Sequence, residues 1–175
     1  MWVTGAALFI RLADYREVGG LDDHFFAHME EIDLCWRLRS RGKKLVCIPQ
    51  SVVYHVGGAT LKKENPRKTF LNFRNNLLML YKNLPDKELE HVLFIRGILD
   101  RVAALVFYLK KDRANARAVM QARREFEDIR YSFAASRIEN MMKSTDEIIP
   151  ERTHFSIVMK YYLLGKKHFS QLKLF

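Results

Sequence analysis

From Trp2 to Ile10 the chain is apolar and free of charge (Trp-Val-Thr-Gly-Ala-Ala-Leu-Phe-Ile), a pattern that suits a short buried strand. Gly5 in its middle marks a bulge or a close approach of backbone to something else. Arg11 to Val18 reads as a short helical turn ended by Gly19, a glycine placed for a helix C-terminus. After a polar helical stretch reaching about Arg41, Gly42 stops the helix. Leu45-Val46-Cys47-Ile48 then predicts a second strand closed by Pro49, Ser51 to His55 a third at an edge, and Val56-Gly57-Gly58 a loop. From Asn65-Pro66 on, the period becomes helical: a capping residue and a proline at the first position start a helix, and Phe70, Phe73, Leu77, Leu80 and Leu84 follow on one face. Asn83-Leu84-Pro85-Asp86 breaks that helix and starts another, with an apolar stripe of Val92, Ile95, Leu99, Val102, Val106 and Leu109. A third, Arg-rich helix is predicted over Arg113 to Asn140, and Phe155 to Leu164 forms an amphipathic tail.

The stretch from Val18 to Arg37 organises this pattern. Gly19 and Gly20 break the backbone, Asp22 is placed as a cap, Phe25-Phe26 follow, and Glu30, Glu31 and Asp33 crowd together as the helical period begins. Free N–H groups and the helix dipole favour acids at such a position, but one acid suffices. Like charges packed this closely raise the proton affinity of at least one of them, which prepares a general base; the plainer alternative is that they solvate a helix end. Asp33 and Arg37 stand i, i+4 with the acid first, a favourable pair that explains both residues structurally.

The composition adds partners. With 175 residues, 49% of them hydrophobic, and a formal charge of +10, the chain has room for one cored domain or a small domain with a helical appendage, and it favours an anionic partner. Cys35 and Cys47 lack metal-site or disulfide spacing and read as two buried thiols in a reducing compartment. No signal peptide is recognised, and the longest apolar stretch, Val92 to Leu109, is interrupted by Arg96, Asp100 and Arg101, which argues against a membrane span. Nucleic acid is not expected, because no helix-turn-helix spacing, zinc-ligand pattern or aromatic RNA-binding strand accompanies the charge.

Gly5-Ala6 in an apolar strand, Val18-Gly-Gly-Leu-Asp22, Phe25-Phe26, Glu30-Glu31-x-Asp33-Leu-Cys-x-Arg37, Gly42 and Pro49 to His55 together resemble the second half of the catalytic domain of a family 2 nucleotide-sugar glycosyltransferase, over roughly Trp2 to Thr60. The run from Arg67 to Pro85, with Arg74-Asn75-Asn76 and Lys82-Asn83, is similar to the helix that follows this domain in bacterial members. The resemblance implies an α/β fold of the GT-A type lacking its N-terminal nucleotide-binding half, with residues 1–62 as the C-terminal half of that catalytic domain, then a helical extension (63–145) and a short amphipathic tail (146–175). It implies inverting transfer from a nucleotide-sugar donor to a saccharide or lipid-linked acceptor in cell-surface polysaccharide synthesis, with the protein cytoplasmic, peripheral on the inner face of the membrane.

By the same resemblance Glu31 is the base that takes the acceptor's proton. The family commonly carries Asp there, so Glu31 reaches one methylene further. Glu30 and Asp33 complete the candidate catalytic group, Asp33 with the Arg37 pairing as its alternative. Gly5, Ala6, Asp22, His28 and Arg37 are candidates for substrate binding, and His55 for approach to a divalent metal, Mg²⁺ or Mn²⁺. Imidazole suits Mn²⁺ better than Mg²⁺. The Asp-x-Asp motif that holds the metal in this family does not occur in the chain. The expectation is a fragment or truncation that does not transfer sugar alone, with its first strand an unpaired edge that invites self-association. Basic residues beside the Val92–Leu109 stripe favour an anionic membrane surface, against the alternative of helices packing on one another. A non-catalytic basic binding module is the rival reading of the whole chain.

Overall fold

The computed structural model describes residues 2–56, 65–145, 149, 152, 157–162 and 164–172, and the regular elements among them are helices. The helices are α1 (Leu12–Glu17), α2 (Glu30–Ser40), α3 (Pro66–Asn83), α4 (Asp86–Leu109), α5 (Arg113–Ile129), α6 (Ala134–Met142) and α7 (Ile157–Tyr162), with 3-10 turns at Gly5–Ala7, Asp23–Phe25, Arg130–Phe133 and Phe169–Leu172. Asn65 caps α3 as its sequence position demands, its side-chain oxygen accepting from the Arg67 N–H at 2.9 Å. The principal core lies between α3, α4 and α5. Leu77, Leu78, Tyr81, Leu89, Leu93, Phe126 and Phe133 pack there with Phe25, which enters from the loop before α2. A smaller cluster of Val18, Leu34 and Leu38 fastens α2 to the chain before it.

The α/β expectation is not met among the described residues, where no strand forms. Trp2 to Ile10 holds a 3-10 turn at Gly5–Ala7, capped by the Thr4 side chain, and Leu45 to Ile48 and Ser51 to His55 form no regular element. A strand exists only through a neighbour that accepts and donates its backbone hydrogen bonds, and no ladder joins these segments to one another. Of their apolar residues, Leu8, Ile10 and Leu45 pack on the Val18, Leu34 and Leu38 cluster, and many others stay in solvent, among them Trp2, Phe9, Val46, Ile48, Val52 and Tyr54. Cys47 shares this exposure, correcting its reading as a buried thiol, whereas Cys35 is buried. Gly57 and Gly58 lie outside the described residues, as do several positions of the predicted tail.

Two helical expectations are also corrected. The Arg113–Asn140 helix is interrupted at the Arg130–Phe133 turn, where the Ser132 hydroxyl donates to the Ile129 carbonyl at 2.7 Å and Phe133 turns into the core. α4 buries a different face from the predicted stripe: Leu89, Leu93, Gly97, Asp100 and Ala104 face inward, while Ile95, Val102, Val106 and Leu109 are exposed. Both sides of α4 are apolar, so hydrophobic period alone does not choose between them. The inward side carries small residues, which let α5 approach; a Cβ on Gly97 would stand 3.3 Å from an Arg123 guanidinium nitrogen. Arg123 and Arg96 neutralise the buried Asp100 at 2.9 and 2.8 Å.

Candidate site at the start of the second helix

Two glycines after α1 turn the chain, both with positive φ (83° at Gly19, 70° at Gly20). Gly20 is irreplaceable on two grounds: a Cβ there would sit 2.9 Å from the Tyr15 ring, and φ itself is strained for other residues. Asp22 then caps the Asp23–Phe25 turn through the His24 N–H at 3.0 Å. The backbone becomes strained where the loop meets α2. Phe26, His28 and Met29 have φ of 59°, 70° and 72°, conformations costing about 1–3 kcal/mol each for residues with a side chain. At Phe26 the Ala27 N–H folds back on the Phe25 carbonyl at 2.6 Å, a γ-turn of the rarer, strained hand.

α3 holds this loop. Arg74 Nη2 donates to the His24 carbonyl at 2.8 Å, and Asn75 Nδ2 faces the carbonyls of Phe25, Ala27 and His28 at 2.8, 2.8 and 2.9 Å. Behind the loop lies a charged cluster. Asp33, with 0% exposure, accepts from Arg37 Nε at 2.9 Å, Lys82 Nζ at 3.0 Å and Asn83 Nδ2 at 2.7 Å. Arg37 also donates to the Val18 carbonyl and, at 2.7 Å, to that of Gly20. Lys82 bridges from Asp33 to Asp22, 2.7 Å away. Burial pushes the Asp22 carboxyl up, but the Lys82 ammonium and the bonds to His24 outweigh it and hold the group below the usual carboxylate range.

Glu30 and Glu31, half-buried, open α2. Burial raises the Glu30 carboxyl above its usual range; its own N–H works against this, and the neighbouring Glu31 carboxyl, in charge and hydrogen-bonding contact, adds to it. Oε2 of each glutamate and Nε2 of His28 are shielded from solvent and have no hydrogen-bond partner among the described residues. Buried polar atoms are normally satisfied, so this corner is marked by polar atoms that the described residues leave unpaired. The structure therefore brings His28, Glu30 and Glu31 together at one corner of the helix and places Asp22, Asp33 and Arg37 in the ion cluster behind it. Gly5 and Ala6 lie on the separate 3-10 turn, and His55 is exposed on the extended segment.

A divalent metal does not fit these residues: among the described ones no three His, Cys, Asp or Glu side chains converge on a point, and His55 has no such company. A cleft of about 430 Å³ is lined by Asp22, His24, Arg37, Arg41, Lys82 and Ser136, and another of about 340 Å³ by Trp36, Asn83, Asp86, Asn140 and Arg152. Neither has Glu30 or Glu31 in its wall. Lys82 and Asn75 were not singled out by sequence as parts of the site. The signal available was two polar residues seven positions apart, on the face of α3 that also carries Leu71 and Leu78.

No family model and no solved structure matches the chain. Over 54 residues it is 37% identical to an N-acetylglucosaminyl-diphospho-decaprenol L-rhamnosyltransferase of Mycobacterium tuberculosis, which covers 31% of this chain and 18% of that protein. Over 139 residues it is 31% identical to a pre-mycofactocin glycosyltransferase of the same organism, covering 73% of this chain and 29% of the relative. The rhamnosyltransferase WbbL of Escherichia coli is 35% identical over 54 residues, 31% of this chain and 20% of that protein. The chain thus spans between about a fifth and three-tenths of the length of these curated relatives. Distant and partial as they are, the matches support a glycosyltransferase family.

The raised Glu30 carboxyl has a measurable sign. A carboxyl whose folded value lies above its unfolded one stabilises the fold at low pH and loses that contribution as pH rises through the folded value. Glu30→Gln is therefore expected to raise the melting temperature at pH 7 and to have no such effect below the ordinary value of 4.5, where Glu30 is protonated in both states. Thermal melts of both proteins across this range check it; a gain that persists at the acid end contradicts the assignment.

Proposed function

We propose that this chain is the acceptor-side part of an inverting, family 2 glycosyltransferase, and that Glu31 is its general base. The observation that carries the reading is the pair of touching carboxyls at the start of α2, each with an oxygen that no group among the described residues occupies. A sugar hydroxyl is a weak nucleophile, and a carboxylate placed to take its proton as it attacks the anomeric carbon accelerates the step about 10²- to 10⁴-fold. His28 borders the acceptor, whereas Asp33 and Arg37, committed to each other in the interior, act by holding the helix. Gly5 and Ala6 line the substrate from the other side. The nucleotide-sugar donor and the divalent metal are assigned to a nucleotide-binding half outside this chain; His55 approaches that metal only once the half is in place. The chain alone is accordingly expected to be inactive. The exposed apolar residues of 2–10 and 45–56 fit the pairing surface for that half, and left unpaired they favour self-association. Glu31→Gln, made in a polypeptide that includes such a half and assayed by nucleoside diphosphate release from a panel of nucleotide-sugars, is expected to lose turnover at least about a hundredfold with its fold retained. Unchanged turnover contradicts the assignment.

The outward face of α4 favours a lipid-linked acceptor over a soluble saccharide, in keeping with cell-surface polysaccharide synthesis at the inner face of the membrane. Phe94, Ile98, Val102, Leu105 and Leu109 form a continuous exposed band, followed by Lys110, Lys111 and Arg113. No helix among the described residues is long and apolar enough to cross a membrane. An apolar band with cations at its end, on a chain of formal charge +10, complements an anionic lipid surface that α4 would lie against. Flotation with vesicles containing phosphatidylglycerol is expected to carry the chain, and Ile98→Glu with Leu105→Glu to release it. Binding that survives both substitutions counts against this face.

A further inference from the structure

Asn75 stands on the inward side of α3 among Leu71, Leu78 and Tyr81, with 0% exposure. Nothing in helix formation calls for an amide there: asparagine is a mediocre helix former, and a buried polar group is unfavourable unless its hydrogen bonds are met. Its bonds go out of the helix. The two N–H groups of Nδ2 serve three carbonyls, those of Phe25, Ala27 and His28, so one of them is shared. Oδ1 accepts from Arg74 Nε at 3.0 Å, which fixes which end of the amide faces the loop. Arg74 is itself held by Glu125 of α5 at 2.7 Å.

The bonded carbonyls are those of the strained backbone. They flank Phe26, at the centre of the γ-turn, and His28, whose positive φ leads into Met29 and the first residue of α2. Relaxing any of these residues to an ordinary conformation would swing its carbonyl away from Asn75 and rotate the start of the helix. We propose that Asn75 is the positioning residue of the glutamate pair: by holding three loop carbonyls to α3 it keeps the strained backbone that aims Glu30 and Glu31 at the acceptor. Its functional meaning rests on the transferase reading, but the physical linkage does not.

The linkage is tested by replacing Asn75 with alanine or leucine, neither of which can donate, and following the Glu30 carboxyl by NMR across pH. Glu31 and His28 are the titrating neighbours that act on it, so their signals are followed as well. Val119→Ala in α5, fully buried and outside the core cluster that takes in Phe25, controls for general loss of stability. In both Asn75 variants the Glu30 midpoint is expected to fall by at least about half a pH unit toward the ordinary carboxylate range, and the loop amides to exchange at least about tenfold faster, while Val119→Ala leaves the midpoint in place. A Glu30 midpoint unchanged in a folded Asn75 variant overturns the proposal, as does an equal shift in Val119→Ala. Failure of both Asn75 variants to fold overturns it too, because Asn75 would then determine the whole fold. None of these outcomes involves turnover, so they leave the Glu31→Gln test of the transferase reading independent.

Discussion

One buried carboxylate ties the molecule together. Asp33 meets Arg37 within its own helix and Lys82 and Asn83 from α3. Through these partners it reaches the carbonyls of Val18 and Gly20, the cap residue Asp22 and, by way of Asn140, α6. Two acids and two bases balance, and the groups satisfy one another's hydrogen bonds. Such a cluster contributes little net stability over a well-packed apolar equivalent. Its effect here is geometric: the chain before α2, α2 itself and α3 share one anchoring point, and displacing any of them strands a charge in the interior.

From that anchor the chemistry of the corner follows. With α2 fixed from behind and the loop carbonyls held by Asn75, the chain enters the helix through residues of positive φ, and Glu30 and Glu31 stand half-buried side by side. Burial, and after it the contact with Glu31, raises the proton affinity of Glu30, while one buried oxygen of each glutamate has no hydrogen-bond partner among the described residues. A site that must receive a hydroxyl and take its proton needs this combination of rigidity and unsatisfied acceptors. The partial similarity to rhamnosyltransferases and a further glycosyltransferase is what supports the reaction proposed for this corner.

The sequence carried its local features plainly. The Asn65-Pro66 cap, the stop before Asp86 and the Asp33–Arg37 pair are set by residues a few positions apart, and each is found in the structure. Of the α3 stripe, by contrast, only Leu77 and Leu84 are buried, and Phe70, Phe73 and Leu80 are half-buried. What it could not show depended on distant partners. Trp2 to Ile10 reads as a strand because it is apolar, but apolarity does not supply a neighbour, and the segment stays extended around a single 3-10 turn. α4 is apolar on both sides, and its orientation was decided by Gly97, Ala104 and the Asp100–Arg123 pair rather than by the period of its large residues. At the candidate site the three carboxylates stand out in the sequence, and the structure commits one of them, Asp33, to the ion cluster. Their supports do not stand out, because Lys82 and Asn75 lie some fifty residues downstream.

The most direct test of this account is the coupling between Lys82 and Asp33, measured as unfolding free energies in a cycle of Lys82→Met, Asp33→Asn and the double variant. Lys82→Met alone is expected to cost about 3–5 kcal/mol, the usual consequence of removing one partner of a buried pair. The double variant should be less damaging than the sum of the two, by about 1 kcal/mol or more. Strictly additive effects would contradict the claim that this ion cluster fixes the start of α2.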